Sequence, residues 1–149
     1  MAIARGAGTE IIRSAHFEDV DSTARAIIFG VQHHIYTVLS VIGFANALNA
    51  DTDWFRMYLT GYDSVGGTTA QQFYIFQQDL SVAQTYVWND KFSFNGYEPT
   101  DFTGPLDSVA KQDAIADQGS SVPQQLVAVA EHASDSFEIH VTFIDQNNA

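Results

Sequence analysis

The stretch Ser136-Phe-Glu-Ile-His-Val-Thr-Phe-Ile144 alternates without a break. Phe137, Ile139, Val141 and Phe143 fall on one side, and Glu138, His140 and Thr142 on the other. A period of two places successive side chains on opposite faces of a pleated strand, so this segment predicts a β-strand with one face inward. Just upstream, Gln125-Leu-Val-Ala-Val-Ala-Glu131 reads as a second strand, and His132-Ala-Ser-Asp135 as the turn between them.

Working back along the chain, β signals dominate. Ile35-Tyr-Thr-Val-Leu-Ser-Val-Ile-Gly-Phe44 is β-branched, aromatic and almost continuously apolar, which predicts a central strand covered on both faces. In Trp54-Phe-Arg-Met-Tyr-Leu-Thr-Gly61, Phe55, Met57 and Leu59 oppose Arg56 and Thr60. Tyr62 to Thr69 is a glycine-rich loop, and Gln72-Phe-Tyr-Ile-Phe-Gln-Gln78 another strand. Tyr86 to Gly96 reads as two short strands around Asn89-Asp90, or one bulged strand, with Phe92 and Phe94 on one face and Asn95-Gly96 as a turn.

Between Glu98 and Val122 the pattern changes. Leu106 to Gly119 predicts a short helix near 106–118, capped by Asp107 or Ser108 and stopped at Gly119, with Gly119-Ser-Ser-Val-Pro123 as a linker. Ile11-Ile12, Phe17 and Ala26 to Gly30 have strand character, yet the glycine-bearing start and the Glu18-Asp-Val-Asp21 break predict an extended N-terminal arm. The expected organisation is an arm over 1–22 and a domain over 23–149. Some seven strands and at most one helix predict an all-β, antiparallel β-sandwich, of jelly-roll or immunoglobulin-like kind.

Composition narrows the function. The 149 residues are 46% hydrophobic and 16% charged, with mean hydropathy -0.06, which describes a folded chain and not a disordered one. Six Lys+Arg against eighteen Asp+Glu give a formal charge of -12, and no Lys or Arg lies between Met57 and Asp90. That balance argues against direct nucleic-acid binding and against an anionic membrane surface. The absence of cysteine excludes disulfides, thiolate metal sites and a Cys nucleophile, and fits a reducing compartment. The N-terminus lacks the order of a signal peptide, and the run Ile35–Leu48 is too short and too interrupted to span a bilayer.

A search for chemistry finds no catalytic residues, metal site or cofactor to commit to. Gly66-Gly67-Thr-Thr has no following Lys and predicts a hairpin tip; Ser64 lacks the glycine-flanked elbow of a nucleophile. His33 and His34 are adjacent, so in a strand they cannot chelate one ion together; a hydrogen-bonded structural role is the plainer expectation, as for His132 and His140. Asp51-Thr-Asp53 and Asp19-Val-Asp21 have calcium-loop spacing without the rest of that motif, so turn formation is expected. Trp54, Tyr58, Tyr62, Tyr86, Trp88 and Tyr97 would suit a sugar-binding face only if a flat row of rings were exposed; in strands they are expected in the core. A hydrolase would need a cleft with two carboxyls of raised pKa.

Three passages carry a resemblance: Gln32-His-His-Ile-Tyr-Thr-Val-Leu-Ser-Val-Ile42, Thr85-Tyr-Val-Trp-Asn-Asp-Lys-Phe-Ser-Phe-Asn-Gly96, and Val127 to Asp145. In their order the chain, over roughly residues 22 to 146, resembles small virion structural proteins of tailed phages, notably marine and cyanobacterial ones. The resemblance implies a non-enzymatic capsid decoration (cement) protein on the outside of the shell, made in the host cytoplasm. The alternatives are a neck, tail or baseplate component or, from the aromatic residues, a carbohydrate-binding β-sandwich module for host attachment. The implied partners are the major capsid protein or neck and tail subunits, in a homo-oligomer. Ile11, Ile12 and Phe17, on the arm, are the candidate subunit interface.

Overall fold

The computed structural model describes residues 8–100, 104–116 and 121–148. Eleven strands and one helix occur among them: β1 (Thr9–Val20), β2 (Arg25–Phe29), β3 (His34–Ala47), β4 (Asp53–Asp63), β5 (Thr68–Leu80), β6 (Thr85–Trp88), β7 (Phe92–Asn95), β8 (Tyr97–Pro99), α1 (Val109–Ala116), β9 (Ser121–Pro123), β10 (Gln125–Ala130) and β11 (Ser136–Asn147).

The antiparallel pairing is nested. β1 pairs with β11, β2 with β10, β3 with β6 and β7, and β4 with β5. A long hairpin paired in this way and rolled up on itself is the jelly roll, which decides between the two expected kinds of sandwich. One sheet runs β1-β11-β3, with β6 and β7 sharing the far edge of β3; the other runs β2-β10-β4-β5. β8 and β9 form a small third sheet.

The alternation in β11 is used as expected: Phe137, Ile139 and Val141 are fully buried and Phe143 nearly so. From the opposite sheet Phe55, Met57 and Leu126 meet them. Phe55 is the hub, its ring 5.1 Å from that of Phe137, 5.4 Å from Phe76 and 6.2 Å from Tyr86. Gly43 makes room for it, since a Cβ there would run into the Phe55 ring.

The structure changes three expectations. The arm over 1–22 is not an arm where it is described. Thr9–Val20 pairs with β11 from Thr9↔Asn147 to Val20↔Phe137, so the sandwich includes β1 and no boundary falls at 22; residues 1–7 lie outside the described part. The reason is backbone satisfaction: a twelve-residue β11 leaves a full row of N–H and C=O groups that β1 occupies. Second, β3 is interior to its sheet but covered on one face only. Thr142 pairs with Ser40 and Phe143 with Val38, so Leu39 is an extra residue that shifts the alternation. Third, the expected linker contains β9, which pairs with β8.

The helix forms where expected. Ser108 caps it, its Oγ accepting from the Lys111 N–H at 3.2 Å, and Lys111 pairs with Asp107 at 2.8 Å. The expected stop at Gly119 lies outside the described residues. Among the described residues, no helix is long and apolar enough to cross a membrane.

Candidate functional site

The outer face of the β1-β11-β3-β6/β7 sheet is the first place to look. The register lays its side chains out in rows. Ile12, Ile144, Thr37 and Ser93 form one row; Ser14, Thr142 and Ser40 the next; His16, His140, Ile42 and Val87 a third. None of these is Asp, Glu, Lys or Arg, in a chain of formal charge -12. Ile12 is 73% exposed, Val87 54% and Ile42 37%. Ser14 and Thr142 hydroxyls are 3.3 Å apart, those of Thr37 and Ser93 2.9 Å, and the His16 and His140 rings 6.1 Å.

This separates the three candidate interface residues. Ile12 stands on the open face. Ile11 and Phe17 belong to the other side of β1, half-buried, and Phe17 packs against the protein's own core.

The second place is the set of aromatic rings. Tyr58 is buried, and Trp88 stacks on Phe76 at 5.7 Å with Phe92 edge-on at 5.3 Å. Tyr62, Tyr86 and Tyr97 are half-buried. Trp54 and Tyr74 lie on the outer face of the other sheet, and the Arg56 guanidinium lies over both rings, at 4.3 and 4.7 Å. Trp54, Tyr58, Trp88 and Tyr97 therefore do not make the flat exposed row that sugar stacking needs.

The third place lies at one end of the sandwich, where the β3–β4 loop meets the β10–β11 turn. Asp53 opens β4, and His132 and Asp135 bracket the turn. The Asp53 and Asp135 carboxyls are buried. Asp53 Oδ2 accepts from the N–H groups of Asn49 and Ala50 at 3.0 and 3.1 Å. Asp135 Oδ1 accepts from Asn49 N–H at 2.9 Å and its Oδ2 from His132 N–H at 2.9 Å.

His132 Nδ1 sits 3.3 Å from Asp53 Oδ1 and 3.9 Å from Asp135 Oδ2. That nitrogen is buried and makes no hydrogen bond. Burial pushes the Asp135 carboxyl up, and the neighbouring Asp53 adds to the rise. Burial works on Asp53 in the same direction, but the hydrogen bond with Asp135, the loop N–H groups and His132 together hold it below its ordinary value.

The two carboxyls have oxygens within 4.8 Å of each other. A glycosidase pair stands about 5–9 Å apart to admit a sugar or a water, so this pair does not have that geometry. Sequence reasoning saw its parts only as an Asp-x-Asp and a turn; His132 and Asp135, three apart in that turn, were the available signal.

The remaining motifs do local work. His34 Nδ1 is 2.7 Å from Asp145 Oδ1, with Arg13 3.6 Å from the other oxygen, so His34 is a structural histidine, and His33 lies in the turn before β3. Asp19 Oδ1 accepts from Ser136 Oγ, and Asp21 Oδ1 from Thr23 N–H. Gly66-Gly67 forms the β4–β5 hairpin tip, with Gly67 at φ 73°.

Fold and surface thus define a jelly-roll β-sandwich in which three adjacent rows of one outer sheet face carry no charged side chain, with Glu10 and Glu138 in the flanking rows. No protein-family model matches the chain, and no curated protein sequence does. It is similar to a solved structure described as Bacillus endospore appendages that form a novel family of disulfide-linked pili. The TM-score is 0.44 and the identity 10%, over 100% of this chain and 97% of that one.

Proposed function

We propose that this chain is a non-enzymatic structural subunit that works in many copies, with the outer face of the β1-β11-β3-β6/β7 sheet as its contact surface. The sequence resemblance supplies the setting: a tailed-phage particle, where the chain decorates the shell from outside, with neck, tail or baseplate as the other placements.

One observation carries the proposal. An acidic chain repels its own copies wherever Asp and Glu face each other, and three rows of this sheet carry none. Ile12, Ile42 and Val87 are the apolar groups there with the most area left to bury. Fully burying a side chain of that size contributes about 1.5–3 kcal/mol, so repeated copies gain from modest individual contacts. The contact needs no extended arm, since Ile12 reaches that face from a strand of the chain's own sheet.

Sedimentation velocity tests it. The chain is expected to associate as its concentration rises, and Ile42→Lys to stay monomeric with an unchanged far-UV spectrum. A wild type that remains monomeric throughout, or a variant that associates equally well, removes the support for this face.

A further inference from the structure

The end of the sandwich where the β3–β4 loop meets the β10–β11 turn carries a different inference. The geometry points to Asp53, His132 and Asp135 as the protein ligands of one divalent first-row transition cation of the zinc class, which ties the β3–β4 loop to the β10–β11 turn.

Donor type comes first. The three side chains offer one ligand atom each, all within 4.8 Å of one another. Two carboxylates with an imidazole suit zinc, cobalt or manganese; calcium takes six to eight oxygens and magnesium an oxygen octahedron with retained waters.

Spacing comes second. A tetrahedral site with bonds of about 2.0–2.1 Å has neighbouring donors about 3.3–3.4 Å apart. His132 Nδ1 already lies 3.3 Å from Asp53 Oδ1 and 3.9 Å from Asp135 Oδ2, and all three ligand atoms lie within 4.8 Å of one another, so a small contraction reaches that spacing.

The third observation is independent of the acids. Buried ring nitrogens in proteins almost always have a hydrogen-bonding partner, and His132 Nδ1, buried and 3.3 Å from the nearer carboxyl oxygen, has none in hydrogen-bond geometry. A cation at that point gives it one. The His132 side chain as a whole is 42% exposed, which leaves the ion a way in.

The supporting contacts are those a metal ligand needs. N–H groups of Asn49, Ala50 and His132 hold the two carboxylates in place and leave Asp53 Oδ1 and a lone pair of Asp135 Oδ2 facing the imidazole. The ion would close a loop from residue 53 to residue 132 in a chain that has no cysteine for a disulfide.

The test uses the full chain stripped with EDTA. Titration calorimetry with ZnCl2 is expected to show one equivalent bound, and saturating zinc to raise the Tm by several degrees. Co2+ is expected to give a ligand-field absorption band at the same stoichiometry. His132→Ala, a change to a half-exposed turn residue, is expected to melt like the stripped wild type and to lose the zinc shift and the cobalt band. The double variant His16→Ala/His140→Ala removes the other histidine pair and is expected to keep both. No response to Zn2+, Co2+ or Mn2+, an undiminished response in His132→Ala, or its loss in the double variant would each overturn the assignment.

Discussion

Ile42 of β3 lies directly opposite Val87 of β6, and both side chains stand on the open face of the sheet. Their neighbours one step along, Val41 and Trp88, point the other way, with Val41 fully buried. The face is therefore set by register, and it separates two apolar surfaces of one strand. Hydroxyl-radical footprinting of the associated protein is expected to protect Ile12, Ile42 and Val87 relative to dilute protein. Val65 and Val109, 86% and 75% exposed elsewhere, should react equally in both; uniform reactivity everywhere would count against the proposed face.

The Phe55 ring packs over Gly43 across the two sheets, leaving no room for a side chain there. Phe55→Ala leaves a cavity among Phe76, Tyr86 and Phe137 and is expected to cost about 3–5 kcal/mol in urea unfolding. Gly43→Val drives a branched side chain into the same ring and is expected to destabilise by about 1–3 kcal/mol or more. A Gly43→Val protein as stable as wild type would show that the ring can move aside.

β1 makes its own stability prediction. Val20 is fully buried and Phe17 packs on the core, so Phe17→Ala and Val20→Ala should each lower the unfolding free energy, by about 1–3 kcal/mol. An arm lying on another subunit would leave the isolated chain's stability unchanged by either substitution. Urea midpoints of the two variants distinguish the cases.

Tyr58 sets an alkaline limit. Burial, and then the Tyr74 phenol beside it, raise its pKa above 10.0, while Arg56 works the other way. The folded chain thus keeps a proton that the unfolded chain has released. Stability from this group is intact below the unfolded value of 10.0 and is lost as pH rises through the folded one. Urea midpoints measured from about pH 9 to about pH 11 should fall more steeply for wild type than for Tyr58→Phe. Parallel curves would mean that Tyr58 ionises freely in the folded state.

Most of the sandwich was legible because inward and outward positions differ in chemistry. β11 and β4 have that contrast, and Phe137, Ile139, Val141, Phe55 and Met57 are buried as their spacing predicts. β3 was misjudged because the extra residue Leu39 shifts the period mid-strand and hides which face is open. β1 reads as an arm in sequence because its two sides hardly differ: Ile11, Arg13, Ala15 and Phe17 alternate with Ile12, Ser14 and His16. Its pairing with β11 joins residues more than a hundred positions apart, a relation that no local pattern encodes. Separation along the chain, about eighty positions, likewise hid the meeting of Asp53 with His132 and Asp135.

Electron cryomicroscopy of particles that carry the chain tests the central claim most directly. The account predicts density for the jelly roll at regularly repeated positions, with Ile12, Ile42 and Val87 covered by a neighbouring copy. Particles without the chain, or copies whose β1-β11-β3 sheet looks out onto solvent, would contradict it.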